Sequence, residues 1–204
     1  MKLLKKVIIT IGREFGSGGR ELGRRLAEEL QIEYYDREIL AEISKQTSLA
    51  QEYIQNVVER HPHSLLPITI GRSFAYVEDY AFKQAQAVYR AQSKIIREMA
   101  EKSDCVIIGR CADHILLDKK PFRLFVYADM KSRIHRCMDR RAEGENQTEK
   151  EMKKQILTVD KNRARYYEFY TGQKWGDKLN YDLCVNTTGT VIKEIVPAIA
   201  KMLG

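Results

Sequence analysis

Five short strand-like stretches, separated by segments with helical spacing, predict an α/β fold of three layers, with a five-stranded parallel sheet covered on both faces. The stretches are Val7–Ile11, Glu33–Tyr35, Cys105–Ile108, Phe122–Tyr127 and Tyr181–Val185. The first is β-branched throughout, which suits a strand buried on both sides. A second observation concerns the strand ends: Gly12-Arg13, Asp36-Arg37, Gly109-Arg110 and Asp129 stand just past the first four strands. Glycine, arginine and aspartate therefore gather at the carboxyl edge, where parallel sheets bind ligands.

The third observation is the turn after the first strand. Residues 7–22 read VIITIGREFGSGGREL, in which Gly12, Gly16, Gly18 and Gly19 crowd the turn and Leu22, Leu26 and Leu30 come after it at helical spacing. A strand, a glycine-rich turn and a helix N-terminus form a cradle for phosphate, because backbone amides converge there and the helix dipole adds to them. The candidate phosphate-binding residues are Gly12, Arg13, Gly16, Ser17, Gly18, Gly19 and Arg20. Against the pattern G-x-x-x-x-G-K-[ST] the match is incomplete. With Gly18 as the second glycine, Gly19 takes the lysine's place, Arg13 the first glycine's, and the magnesium-binding hydroxyl is missing. Arg13 and Arg20 are the candidates to supply the absent charge.

Beyond Asp36-Arg37 a helix carries Ile39, Leu40 and Ile43 on one face, and a second is expected around residues 50–59. The segment His61–Pro67 reads as a loop, and His61 and His63 as loop histidines rather than a metal pair. Gly71–Lys102 reads as one long helix, with Phe74, Val77, Ala81, Val88, Ile95 and Met99 forming its apolar stripe. Met130–Arg141 and Thr148 to about Tyr170 read as two basic helices around the polar break Gly144–Gln147, and Val191–Leu203 as the last helix. The organisation is one domain over residues 1–204, with a helical region at about 37–102 and a lid at about 131–165.

No run of 18 apolar residues is present, and the opening Met-Lys-Leu-Leu-Lys-Lys lacks the features of a signal peptide, so a cytoplasmic location is expected. Cys105, Cys111, Cys137 and Cys184 form no C-x-x-C pair, which points to reduced thiols and no zinc or other metal site built from the chain. The net charge of +7 favours an anionic partner, nucleotide or nucleic acid. Between Lys131 and Arg165 there are 11 Lys/Arg against 6 Asp/Glu, so +5 of that charge falls in the lid. Arg133, Arg136 and Arg140 share one helix face. Phosphoryl transfer rests mostly on positioning and charge stabilisation, work to which guanidinium groups are suited. These three, with Arg163 on the facing helix, are the candidate catalytic residues. The competing reading is a solvated helix bridged internally by Asp139, Glu143 and Glu145. Asp36 is a candidate to orient a nucleoside or accept a hydroxyl proton, and equally a helix N-cap.

With these residues in place, the chain resembles the nucleoside monophosphate kinases, most closely the cytidylate kinase group and its bacterial members with an I-x-R-x-x-G-S-G-G loop. The resemblance rests on Ile11–Gly19, Tyr35-Asp36-Arg37, Val106–Arg110, the lid arginines, Asp160-x-x-Arg163 and Tyr181–Thr187. It implies a P-loop kinase fold with an arginine-rich helical lid, ATP as donor, Mg²⁺ as cofactor, and a nucleoside monophosphate, first CMP or dCMP, as acceptor. It also implies that Asp36, Arg37 and Arg110 bind the acceptor, Arg110 through its phosphate. The chain departs from the group's pattern where Cys111 replaces an aspartate, with Asp113 two residues later, and where Arg37-Glu38-Ile39-Leu40 replaces a G-A-x-Y-R block. Two other functions compete: a nucleotide-binding module of the same fold that transfers nothing, and a nucleic-acid binder using the basic helix with Tyr166-Tyr167. The latter ranks last because aromatics and arginines are not interleaved on strands. A membrane partner is not expected, and the long helix is a candidate homo-oligomer surface.

Overall fold

The computed structural model describes residues 6–47, 49, 54, 80–140 and 147–203. Strand β1 (Ile8–Arg13) is central, paired in parallel with β3 (Cys105–Ile108) on one side and β4 (Phe122–Tyr127) on the other. Strand β2 (Glu33–Tyr35) lies outside β3 and β5 (Leu183–Asn186) outside β4, giving a five-stranded, all-parallel sheet of order β2-β3-β1-β4-β5. Pairing with β4 carries β1 two residues past its expected end, with Gly12 opposite Phe125 and Arg13 opposite Val126. Strand β5 begins later than expected, at Leu183.

The β-branched run of β1 is explained by burial on both sides. Ile9 and Ile11 point to one face with Val106, Ile108, Leu124 and Val126, under Leu22 and Leu26 of α1 (Gly19–Leu30) and Ile192 and Val196 of α7 (Ile192–Leu203). Ile8 points to the other face with Cys105 and Ile107. That face is covered by Ile39 and Ile43 of α2 (Glu38–Thr47), by Val88, Ile95 and Ile96 of α3 (Tyr80–Lys102) and by α4 (Ala112–Ile115). Helices thus enclose the sheet in three layers, as the apolar patterning requires. Of the long helix expected at Gly71–Lys102, the described part starts at Tyr80. The His61–Pro67 loop, Arg141 and, apart from residue 54, the helix expected at 50–59 lie outside the described residues.

The two lid helices come after β4. In α5 (Met130–Asp139) Asp129 is the N-cap, accepting the Ser132 amide at 2.7 Å. In α6 (Glu149–Thr171) Thr148 and Glu151 form a capping box. The two helices pack against each other. No helix among the described residues is long and apolar enough to cross a membrane.

The start of β5 is clasped to β4 by one pair of residues. Arg123 donates to Asp182 from its amide (2.8 Å), Nε (3.2 Å) and Nη2 (2.8 Å), and the Asp182 amide returns a bond to the Arg123 carbonyl at 2.8 Å. The Arg123 guanidinium holds the Asp182 carboxyl below its ordinary range. A carboxyl whose pKa is lowered by folding stabilises the fold above its unfolded pKa, and that contribution disappears as pH falls through the folded value. Asp182→Asn should therefore destabilise by roughly 1 kcal/mol or less at neutral pH, as partly exposed pairs do. In thermal unfolding followed from neutral to acid pH, the difference from the native chain should close on the acid side.

Candidate functional site

The carboxyl ends of the strands open on a cleft of about 760 Å³. Its floor is the glycine turn. The Glu14 amide still bonds to the Val126 carbonyl at 3.0 Å, and the chain then reverses through Ser17, whose amide and hydroxyl donate to the Glu14 carbonyl at 3.3 and 2.8 Å. Gly16 and Gly18 take φ of 79° and 82°, a left-handed backbone natural only to glycine, and α1 begins at the next residue, Gly19. The Gly19 amide donates to the Ser17 hydroxyl at 3.4 Å, and the amides after it in the first turn of α1, with the positive helix end, face the cleft side of the turn as an anion seat would require. The glycines have a second reason. A Cβ on Gly16 would lie 2.8 Å from the Arg133 carbonyl and the Cys137 Sγ, and one on Gly18 2.7 Å from Ile192. Absent side chains let α5 and α7 seat directly on the turn.

Most of the residues expected from the sequence meet at this cleft. Arg13, Gly16, Gly18, Gly19 and Arg20 line it from the turn, Arg37 and Arg110 from the ends of β2 and β3. Arg136, Arg140 and Arg163 line it from the lid. Gly12 lies just inside, against Phe125 and Tyr181. Ser17 is wholly buried and holds the turn, its carbonyl accepting the Thr187 hydroxyl at 2.7 Å. Asp36 is 3% exposed and pairs with Arg20 Nε at 2.6 Å, so one of the two residues expected to replace the lysine is engaged with the expected acceptor aspartate.

Arg110 is held by its backbone. Gly109, Arg110 and Cys111 have φ of 63°, 58° and 56°, three consecutive left-handed residues of which two carry side chains. Such strain persists only where surroundings over-determine it. Gln92, fully buried on α3, donates to the Arg110 carbonyl at 2.9 Å and accepts from the Tyr166 hydroxyl at 3.3 Å. Gln92 was missed in the sequence, although a polar residue inside the stripe Val88-Ile95-Ile96 was a readable signal.

Beside Arg110 the positive groups crowd together. The Arg13 guanidinium lies directly against Gly109, where any side chain would collide with it. Arg163 donates to the Arg13 carbonyl at 3.3 Å and stands over the Phe15 ring, 5.5 Å from its centroid. Burial pulls the Arg13 pKa well below its usual value; Arg163, Arg110 and Arg20 push the same way and Asp36 opposes them. A guanidinium does not shed its proton at neutral pH, so this crowding creates a field that an anion relieves. A small cavity of about 50 Å³ adjoins the cleft, lined by Arg13, Arg110 and Arg163 together with Asp113, Tyr167 and Tyr181. Tyr167 donates to Asp113 at 2.6 Å, and burial pushes the Asp113 carboxyl up against that bond.

The lid arginines depart from expectation. Among the described residues Asp139 is ion-paired with His135 at 3.3 Å, and Arg141, Glu143 and Glu145 lie outside them. Arg136 donates to the carbonyls of Thr187 and Thr190 and to the Thr187 hydroxyl. Arg140 pairs with Glu21 on α1. Arg133, expected in the phosphate clamp, is 4% exposed and does not line the cleft. Its guanidinium is buried on the turn between Glu14, Asp160 and the Phe15 carbonyl. Burial pushes the Glu14 carboxyl up, opposed by Arg133 and by the Ala128 amide. Helical spacing placed the three arginines on one face but could not reveal partners that lie between 27 and 119 residues away in the chain.

The model of the cytidylate kinase-like family matches residues 8–189. Among solved structures, an uncharacterised protein from Eubacterium ventriosum superposes with a TM-score of 0.71 at 29% identity, covering 97% of this chain and 98% of that one. A shikimate kinase from Bacteroides thetaiotaomicron is similar in fold, with a TM-score of 0.58 at 14% identity over 97% of this chain and 98% of its own. No curated protein matches the chain. The family match takes in all five strands, the glycine turn, Arg110 and both lid helices, and on that ground the chain belongs to the cytidylate kinase-like family, with a P-loop kinase fold.

Proposed function

We propose that the chain is an ATP-dependent phosphotransferase that acts on a small phosphorylated acceptor, with CMP or dCMP the first candidates. The observation that carries this reading is the crowding of Arg13, Arg110 and Arg163 around one cleft whose floor is the glycine turn and the start of α1. The turn fits a triphosphate, because its amides and the helix end favour an anion. Magnesium, which kinases of this fold generally use, finds no comparable fit in the side chains. No Ser or Thr stands directly after the glycines, Asp36 is engaged by Arg20, and Asp129 caps α5. Among the described residues no group of three His, Cys, Asp or Glu could hold a metal, so a magnesium ion would have to be carried largely by the nucleotide phosphates.

In this reading each residue has a task set by its support. Arg110, fixed through Gln92, orients the acceptor phosphate by charge-assisted hydrogen bonds. Arg163 and Arg136, at the cleft's lid side, stabilise charge on the oxygens of the group in transfer. A phosphate oxygen is already anionic at neutral pH, so such an acceptor requires no general base. That agrees with Asp36 being committed to an ion pair. The second reading, a nucleotide-binding module without transfer, is favoured by one observation: Arg20 and Arg140, though they line the cleft, are already ion-paired with Asp36 and Glu21.

ADP release measured with a panel of nucleoside monophosphates and other small phosphate esters separates these readings. Acceptor-stimulated turnover, strongest with CMP or dCMP, is the expected result. Calorimetric ATP binding with turnover flat across the panel would move the assignment to the binding module. Arg110→Ala should raise the acceptor KM about tenfold or more, the loss of a charge-assisted hydrogen bond, and leave ATP affinity nearly unchanged.

A further inference from the structure

We propose that Arg133 is a positioning residue, and that with Glu14 and Asp160 it latches the lid onto the phosphate loop and fixes the loop's backbone. The inference rests, for its functional consequence, on the reading that this loop holds nucleotide phosphate. Phe15 is the centre of the latch. Its carbonyl accepts from Arg133 Nε at 2.7 Å, and its amide donates to Asp160 Oδ1 at 2.8 Å. The two side chains that grip this one residue come from different lid helices, α5 and α6, and are themselves ion-paired. On its other side Arg133 pairs with Glu14 at 3.1 Å, and the same Glu14 oxygen accepts the Ala128 amide at 3.2 Å, tying the assembly to the end of β4.

Two further facts separate this arrangement from a surface salt bridge. Arg133 is 4% exposed, and its hydrogen-bonding edge is directed at Glu14, Phe15 and Asp160 rather than at the cleft. Gly16 has no side chain at the point where one would strike the Arg133 carbonyl, so the sequence makes room for this contact. The chain lacks the lysine that ordinarily spans such a loop from within. Here a cation from the lid braces the loop from outside. Asp160 already occupies the Phe15 amide, the Glu14 carbonyl that of Ser17 and the Ser17 hydroxyl that of Gly19, so the latch is part of a loop backbone that is set before a phosphate arrives. Lid position and loop order become one equilibrium, so a ligand that grips the loop also favours the docked lid.

Amide hydrogen exchange reads the latch directly, with and without ATP, and the nucleotide-free measurement stands whether or not the chain proves to be a kinase. Without nucleotide, Asp160→Asn and Arg133→Ala should each speed exchange over residues 14–16 by about tenfold or more, leaving the amides of β1 and β3 protected. The double variant should be no faster than Arg133→Ala alone, since both break one assembly. ATP affinity should fall in step with loop exchange. Unchanged loop exchange in Asp160→Asn with native ATP affinity would overturn the latch. So would an Arg133→Ala enzyme whose only change is a lower kcat, which would return Arg133 to the phosphate clamp. If Arg133→Ala does not fold, the near-isosteric Asp160→Asn decides alone. If the native chain binds no ATP, the nucleotide reading fails while the exchange data still settle the latch.

Discussion

Guanidinium groups from the turn, from two strand ends and from the lid meet at one end of a parallel sheet, and their mutual repulsion must be offset. Charges drawn out of water are tolerated only with partners, and removing one partner costs more than the pair contributes. The fold meets this constraint in two ways. Toward the rim and the interior it supplies carboxylates: Asp36 for Arg20, Glu21 for Arg140, Glu14 and Asp160 for Arg133. In the centre, Arg13 is compressed against Gly109 with Arg110 and Arg163 close by, and burial first, then repulsion among them, lowers its proton affinity. The first set holds the architecture together. The second creates the demand for an anion.

This division explains why sheet, turn and lid behave as one unit. Strand β1 is the common strut, since its end leads into the turn and its flanks pair with β3 and β4. The strand-end residues of β3 are fixed from α3 through Gln92, and those of the turn from α5 and α6 through Phe15. Each of these backbone segments is thus gripped by a side chain from another element, eighteen residues away for Arg110 and more than a hundred for Phe15. The strained run Gly109-Arg110-Cys111 is the clearest instance, because two non-glycine residues remain left-handed only while such grips hold.

The layers of the fold were readable because apolar patterning reports burial locally: the β-branched Val-Ile-Ile-Thr-Ile run suits a strand covered on both sides, and Ile8 to Ile11 form one. The location of the site was readable for a similar reason, since a parallel sheet delivers the residues after each strand to one edge. Individual roles were not readable in the same way. Arg133 and Arg136 share a helix face, yet one is buried among carboxylates and the other reaches the carbonyls after β5. That difference depends on which elements pack nearby, information absent from helical spacing. Asp36 posed the same problem: a strand-end aspartate can cap, bind or pair, and its ion pair with Arg20, sixteen residues earlier, was not legible from its position at a strand end.

The glycine turn shows how one signal can have two physical causes. Its glycine content was read as an anion cradle, and the left-handed Gly16 and Gly18 fit that reading. The same two positions are where α5 and α7 touch the turn most closely. A side chain there would harm both the cradle and the docking of the helices, so glycine content alone does not measure phosphate affinity. What distinguishes this turn from a merely tight one is its surroundings. Arginines stand on three sides of it, and the carboxylates nearest its backbone, Glu14 and Asp160, are each paired with Arg133. A packing device would not need that charge arrangement. A seat for a multiply charged phosphate would.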